Sequence, residues 1–304
     1  MTMQKKYLVA FSILFSAFLV WYLGFKENDY CINFKTKTAT ITLFQGVEEW
    51  QKEQIISHGA TIEILEKNNF NFIKQKHTKG DIGLEYSWEF EVLNDSTTAV
   101  CVGITEPKHS WYNRLTAPFF ETDFKKSAIS EIKGFKTALE DQLSQFSYKL
   151  TGEKQTEAVF VAYISLKSVL QEKAQNMIGD DNIITGYLYK NHIKIIGKPY
   201  LEVTNWDIEH QKVAFNYCFP IDKNTPYIAS DAVKFKLIPA QKGLTASYFG
   251  NFRTSDRAWF AIYDYAQKNN IKLDYKPLEH FLANPFNGGD EKLWETKIMI
   301  PFAK

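Results

Sequence analysis

Two stretches in the second half of the chain follow one pattern. Phe215-Asn216-Tyr217-Cys218-Phe219-Pro220-Ile221 and Trp294-Glu295-Thr296-Lys297-Ile298-Met299-Ile300-Pro301-Phe302 are both strand-like and both close on proline. The match extends upstream, where Lys198-Pro199-Tyr200-Leu201-Glu202-Val203 and Lys276-Pro277-Leu278-Glu279-His280-Phe281 each open on Lys-Pro and lead through a polar loop to that strand. A repeat of this size is one supersecondary unit used twice. Two such units can enclose a shared cavity, so the pattern points to binding before catalysis.

The first half of the chain reads differently. From Tyr7 to Phe25 no charged residue interrupts YLVAFSILFSAFLVWYLGF, which as a helix rising about 1.5 Å per residue would span roughly the 30 Å hydrocarbon core. Lys5 and Lys6 precede the run, and Lys26 is followed by Glu27 and Asp29. The positive-inside rule then predicts a single-pass membrane protein whose N-terminus is cytoplasmic and whose remaining domains are extracytoplasmic. A cleavable signal peptide is the alternative, but no Ala-x-Ala-like site precedes Lys26.

With 304 residues, 45% of them hydrophobic and 15% aromatic, the chain can fill two cores. Its net charge of +1 offers no basic field to nucleic-acid phosphate. Cys31, Cys101 and Cys218 lie far apart in sequence, without the spacing of a zinc site or a disulfide framework. Cys31 and Cys101 could pair only if their strands are neighbours. No metal or cofactor is expected.

Beyond the apolar run, a helical stretch is predicted around Val47 to Ile56, followed by strands from Ala60 to Glu106. In Leu84–Val92 alternation puts Tyr86, Trp88 and Phe90 on one face and Glu85, Glu89 and Glu91 on the other. Asn94-Asp95-Ser96 supplies turn chemistry, and Val100, Val102 and Ile104 continue the apolar face on the returning strand. Lys108–Leu115 mixes basic and aromatic residues and reads as a loop over the sheet, with a membrane-touching segment as the alternative. From Thr122 the period changes: Phe124, Ala128, Ile132, Phe135, Leu139, Leu143 and Phe146 define a long amphipathic helix. The order strand, helix, antiparallel strands and long closing helix resembles the helix-grip domains of the SRPBCC superfamily, polyketide cyclase-like in particular, over about residues 28 to 150.

Thr151-Gly152-Glu153-Lys154 reads as the break between domains. A strand then starts at Val159, Val161 and Tyr163, a helix is predicted over Leu166 to Met177 with Gly179 as its stop, and Leu244–Phe252 is again strand-like. Thr254 or Ser255 can cap a helix carrying Trp259, Ile262 and Ala266, which ends at Asn269-Asn270. Gly197-Lys198-Pro199-Tyr200, Tyr248-Phe249-Gly250-Asn251-Phe252, Phe281-Leu282-Ala283-Asn284-Pro285 and the strand from Thr296 to Pro301 come in an order similar to that of the GyrI-like small-molecule-binding domain, also called the bacterial transcription-activator effector-binding domain. The expected fold class is α+β: a cytoplasmic tip and transmembrane helix over 1–27, a helix-grip antiparallel sheet with a long C-terminal helix over 28–150, and a duplicated βαββ unit of GyrI-like type over 151–304.

The resemblance implies two helices on one face of a sheet and a ligand cleft on the other. If Ile298 and Ile300 pack toward the helices, Lys297 and Met299 face the cleft, and the repeat places Asn216 and Cys218 alike. Tyr163, Tyr248 and Phe281 are candidate aromatic walls, with Trp294 at a rim; an aromatic on a strand is otherwise ordinary core. Where the family typically carries a glutamate, associated with lipophilic cations, this chain has Lys297. The inverted sign admits a small amphipathic anion, or a lysine that reaches solvent or an internal partner such as Glu279 or Glu295.

No phosphate-loop, dinucleotide, zinc-protease or serine-hydrolase pattern occurs. Some GyrI-like relatives are hydrolases using cleft acids, which keeps Glu279 as a candidate general base beside the ordinary reading of a surface or ion-paired glutamate. With no helix-turn-helix pattern, a regulator's DNA-binding role is not carried over. The expected function is a membrane-anchored, non-catalytic ligand-binding or sensing module. A hydrolase in the same cleft and an envelope protein-interaction scaffold are the alternatives.

Overall fold

The computed structural model describes residues 3–68, 70–94, 97–227, 230–283 and 288–304. It is an α+β chain with two antiparallel sheets, divided into the compact units Met1–Glu140 and Asp141–Lys304.

The first unit starts with helix α1 (Met3–Val20), a π-helical turn (Trp21–Phe25) and strand β1 (Tyr30–Thr36). Helix α2 (Thr40–His58), strands β2 (Thr61–Asn68), β3 (Phe72–Lys79), β4 (Ile82–Asn94) and β5 (Thr97–Thr105), and helices α3 (Ser110–Thr116) and α4 (Asp123–Ser144) follow. The sheet order is β1-β5-β4-β3-β2. Alternation decides which side of β4 is buried: Tyr86, Trp88 and Phe90 are inside. Ile41, Phe44, Val47 and Trp50 of α2 and Ala128, Ile132, Phe135 and Leu139 of α4 are buried with them. Trp50, Trp88 and Phe135 meet edge to face, Trp88 and Phe135 at 4.8 Å between centroids and Trp50 and Trp88 at 5.7 Å. Gly59, at φ 62°, ends α2 in the left-handed conformation that closes many helices.

The expected transmembrane anchor is not found: among the described residues no helix is long and apolar enough to cross a membrane. The α-helical part of the apolar run, Tyr7–Val20, reaches only about 21 Å at ~1.5 Å per residue, short of the ~30 Å core. At Trp21 the helix widens to a π turn, and that turn is tied to α3 of the same unit. Tyr22 donates to the Arg114 carbonyl at 3.1 Å, while Arg114 Nη1 donates to the Leu23 carbonyl at 2.8 Å. The cytoplasmic N-terminus and extracytoplasmic domains inferred from that span fall with it.

One smaller expectation also changes. Lys108–Leu115 is not a loop, since α3 occupies most of it, held by Arg114 Nε on Asp29 Oδ1 at 2.9 Å with both side chains buried. Cys31 and Cys101 stand on neighbouring strands, where Cys31 pairs in register with Gly103 and Cys101 with Asn33, and both are free thiols. Of the predicted turn Asn94-Asp95-Ser96, residues 95 and 96 lie outside the described residues.

The second unit contains β6 (Ser147–Gln155), β7 (Val159–Val169), α5 (Lys173–Gly179), α6 (Asp181–Lys190), β8 (Tyr200–Asp207) and β9 (Lys212–Pro220). It continues through β10 (Lys234–Ile238), β11 (Lys242–Phe249), α7 (Asp256–Lys268), β12 (Leu278–Phe281) and β13 (Glu295–Pro301). Leu166 and Val169, expected on a helix, extend β7 instead. β6 runs across Thr151, the expected domain break, and lies in this unit's sheet.

The eight strands are ordered β10-β7-β9-β8-β12-β13-β11-β6. Read from the β8/β12 junction outward, this is one arrangement written twice, strand for strand. Backbone hydrogen bonds repeat with it. Val203 N donates to Pro277 O at 2.9 Å and Phe281 N to Pro199 O at 3.1 Å; Ile196 N donates to Pro220 O at 3.0 Å and Asp274 N to Pro301 O at 2.8 Å. The prolines that mark the sequence repeat therefore occupy equivalent places, Pro199 with Pro277 and Pro220 with Pro301. The outer strands are exchanged: β6 precedes β7 but pairs with β11, and β10 precedes β11 but pairs with β7. The two linkers pass each other with Thr156 N on Gln241 O at 2.8 Å.

Candidate ligand-binding site

Strand parity sorts the second sheet's side chains onto two faces. One face is covered by α5, α6 and α7. Ser255, at the start of α7, donates to Glu279 Oε1 at 2.7 Å and Trp259 Nε1 donates to the same oxygen at 2.6 Å. Lys173 Nζ reaches Asp256 Oδ1 at 3.2 Å and Ser255 Oγ at 3.1 Å. Glu279 is 0% exposed and Lys173 1%. Burial pushes the Glu279 carboxyl up, against the opposing pull of the Lys173 ammonium.

The opposite face carries a cavity of about 520 Å³, whose lining includes Lys154, Glu157, Tyr200, Thr245, Ser247, Leu278, His280, Lys297 and Met299. Leu278 and Met299 are buried and give it an apolar floor. Tyr200 and His280, paired across β8 and β12, stack with ring centroids 4.0 Å apart and planes 5° from parallel. Burial, and then the neighbouring Lys297, hold the His280 imidazolium down at about 4, so the ring is neutral near pH 7. Burial, then the charge of Glu157, pushes the Tyr200 phenol up. Lys297 is exposed in the middle of β13, and it takes part in none of the ion pairs among the described residues.

Of the predicted site residues, Lys297 lines the cavity. Tyr163 and Asn216 are on the same face but outside the cavity lining, engaged in a network of their own. Ser165 Oγ donates to Asn216 Oδ1 at 2.8 Å, Asn216 Nδ2 donates to Glu202 Oε2 at 2.8 Å, Lys236 ion-pairs with Glu202, and Lys236 Nζ sits 4.8 Å from the Tyr163 ring centre. Tyr248 and Phe281 point the other way. Register pairs each of them with Thr296, one residue off Lys297. The Tyr248 hydroxyl lies 2.6 Å from Thr254 Oγ1, and Phe281 packs on Phe252. Trp294 is half-buried just before β13, its Nε1 donating to the Gly288 carbonyl at 3.0 Å. Glu279 is on the helix-facing side of β12, with Oε1 accepting from Ser255 and Trp259. Of the motif Phe281–Pro285, residues 284 and 285 lie outside the described residues.

Sequence reasoning missed Tyr200, His280 and Lys154. The first two belong to the repeated Lys-Pro segments, and strand parity relative to Lys297 selects them once register is known. Among the described residues no group of three His, Cys, Asp or Glu side chains is placed to hold a metal ion.

No protein-family model and no curated protein matches the chain. Among solved structures, EcmrR in its complex with DNA is similar at 15% identity and a TM-score of 0.44, over 58% of this chain and 65% of that one. The chain thus spans just under two thirds of EcmrR. The EcmrR C-terminal domain gives 15% identity and 0.44, over 52% of this chain and 98% of the other. SAV2435 bound to tetraphenylphosphonium gives 12% and 0.36, over 52% and 94%. At these values the likenesses carry no argument about function.

Proposed function

We propose that Asp141–Lys304 is a GyrI-like small-molecule-binding domain whose cleft holds an amphipathic ligand without transforming it. The observation that carries this reading is the cavity of about 520 Å³ on the helix-free face of a doubled sheet, with an apolar floor and a polar rim. That size is within the range of small-molecule pockets, which run from about 300 to 1,000 Å³. The repeated Lys-Pro and Pro-terminated elements support the family assignment independently. For the first unit, the order strand, helix, four strands and closing helix supports the SRPBCC-like reading of residues 28–150 without assigning it a ligand.

A hydrolase in the same cleft finds less support, because Glu279 is buried on the helix face and its accepting oxygen is already engaged by Ser255 and Trp259. The full chain is to be screened by thermal shift against small amphiphiles, with each hit incubated and assayed for product by mass spectrometry. Binding without product, weakened about tenfold or more by Tyr200→Ala, is the expected result. Turnover of small esters that survives Glu279→Gln but not Tyr200→Ala would favour a cleft enzyme. An absence of any shift that depends on Tyr200 would remove the binding reading.

A further inference from the structure

The internal repeat allows the two halves of the sheet to be compared position by position. Three residues past the Lys-Pro proline stand Glu202 in the first half and His280 in the second. Four residues before the strand-closing proline stand Asn216 and Lys297. These pair across their strands in the same way, Glu202 with Asn216 and His280 with Lys297. The exchanged outer strands supply a third equivalence. Lys236 pairs with Val161, which pairs with Pro220, and Lys154 pairs with Gly243, which pairs with Pro301.

In the first half the trio Lys236, Glu202 and Asn216 closes on itself around the carboxylate. The ammonium of Lys236 and the amide of Asn216 both reach Glu202 Oε2. In the second half the same three places hold Lys154, His280 and Lys297. The cations are retained and increased, while the carboxylate between them is replaced by an imidazole. All three residues line the cavity, whereas Lys236, Glu202 and Asn216 are not part of its lining. The lining's acidic residue, Glu157, leaves the two lysines in excess.

From this asymmetry we infer that the cleft takes an anion, a carboxylate-bearing amphiphile whose acid group occupies, between Lys154 and Lys297, the place that Glu202 fills in the other half. The apolar tail then lies over Leu278 and Met299, against the Tyr200–His280 stack. The inference rests on the small-molecule-binding reading and adds the sign and position of the ligand's charge. A carboxylate accepting from two ammonium groups gains charge-assisted hydrogen bonds that a cation of the same shape cannot make. The first half shows that this fold already satisfies a carboxylate in that geometry.

The test uses the full chain, with decanoate and decyltrimethylammonium below their micellar concentrations, titrated by calorimetry. Decanoate is expected to bind in preference. Its affinity should fall by about tenfold or more in the double variant Lys154→Gln/Lys297→Gln, each lost contact being one to a charged group. It should fall similarly in His280→Glu, which would place an internal acid between the lysines as Glu202 does between its partners. Lys154 and Lys297 are exposed, and unchanged thermal midpoints of the ligand-free variants would establish that folding is intact. Preference for decyltrimethylammonium, or decanoate affinity unmoved by these substitutions but lost in Tyr200→Ala, would overturn the inference and leave the cleft as a binder. Binding of neither amphiphile would overturn both.

Discussion

His77 of β3 is a histidine held in a place that disfavours its charge. Its ring lies 4.7 Å from that of Tyr86 and 5.3 Å from that of Trp50, and its buried Nε2 has no hydrogen-bond partner among the described residues. Burial lowers its pKa from 6.5 to about 4. A base whose folded pKa is depressed contributes stability above its unfolded pKa, and that contribution is lost as pH falls through the folded value. The first unit should therefore lose stability between pH 6.5 and about 4, by up to roughly 3 kcal/mol. His77→Phe, which keeps a ring between Trp50 and Tyr86, should flatten that part of a plot of thermal midpoint against pH. Glu279 gives the opposite case. Its folded pKa is raised, so its contribution is present in acid and lost as pH rises from its ordinary 4.5 through the folded value. The midpoint of Glu279→Gln minus that of the wild type should become more positive over that rise. A flat difference would mean that the carboxyl is not desolvated.

At the scale of elements, buried polar contacts join the starts of the equivalent helices α5 and α7. Lys173, the first residue of α5, meets Asp256 at 3.2 Å, and Lys173 Nζ lies 5.5 Å from the Trp259 ring centre. Lys173→Met would leave Asp256 and Glu279 buried without their cation. A loss of about 3–5 kcal/mol is expected in urea unfolding, as when one partner of a buried ion pair is removed. Gly250 joins β11 to the turn before α7 with φ 143°, and an added Cβ would stand 2.8 Å from the Phe146 Cβ and from the Tyr248 hydroxyl. Gly250→Ala should cost more than 1 kcal/mol, since both the backbone and the space oppose it. Much of this level was legible in the sequence. The 3.6-residue spacing from Ala128 to Leu139 announced α4, and the alternation around Trp88 announced β4. The Leu166–Met177 segment misled because Leu166 and Val169, three residues apart, fit one face of a helix, whereas on a strand they fall on opposite faces. Pairing of Leu166 with Phe215 and of Val169 with Lys212 decided for the strand, and Val169 is left on its exposed side.

At the scale of the whole molecule, the second sheet closes its hydrogen bonding within residues 147 to 301. A fragment starting at Asp141 is therefore expected to unfold cooperatively by circular dichroism and to elute as a defined species. A fragment starting at Thr156 lacks β6 and leaves β11 with an unpaired edge, which templates association. It should aggregate or melt at lower temperature, and equal behaviour of the two fragments would show that β6 contributes nothing to the sheet.

The repeat itself was written in the sequence, because a proline that ends a strand cannot be moved along it without breaking the ladder, so Pro199, Pro220, Pro277 and Pro301 fix both copies. The sign of Lys297 was equally plain. Register, however, is a long-range property. Which face Tyr248 and Phe281 serve depends on their pairing with Thr296, a partner many residues away, and a shift of one residue would have turned both into the cleft. The exchange of β6 and β10, and with it the equivalence of Lys154 and Lys236, arises only when both halves pack together, because edge strands take their partners from whichever unpaired backbone the assembled sheet presents. The end of the apolar N-terminal run was decided in the same way, by Tyr22 and Leu23 meeting Arg114 across a distance in sequence that composition cannot register.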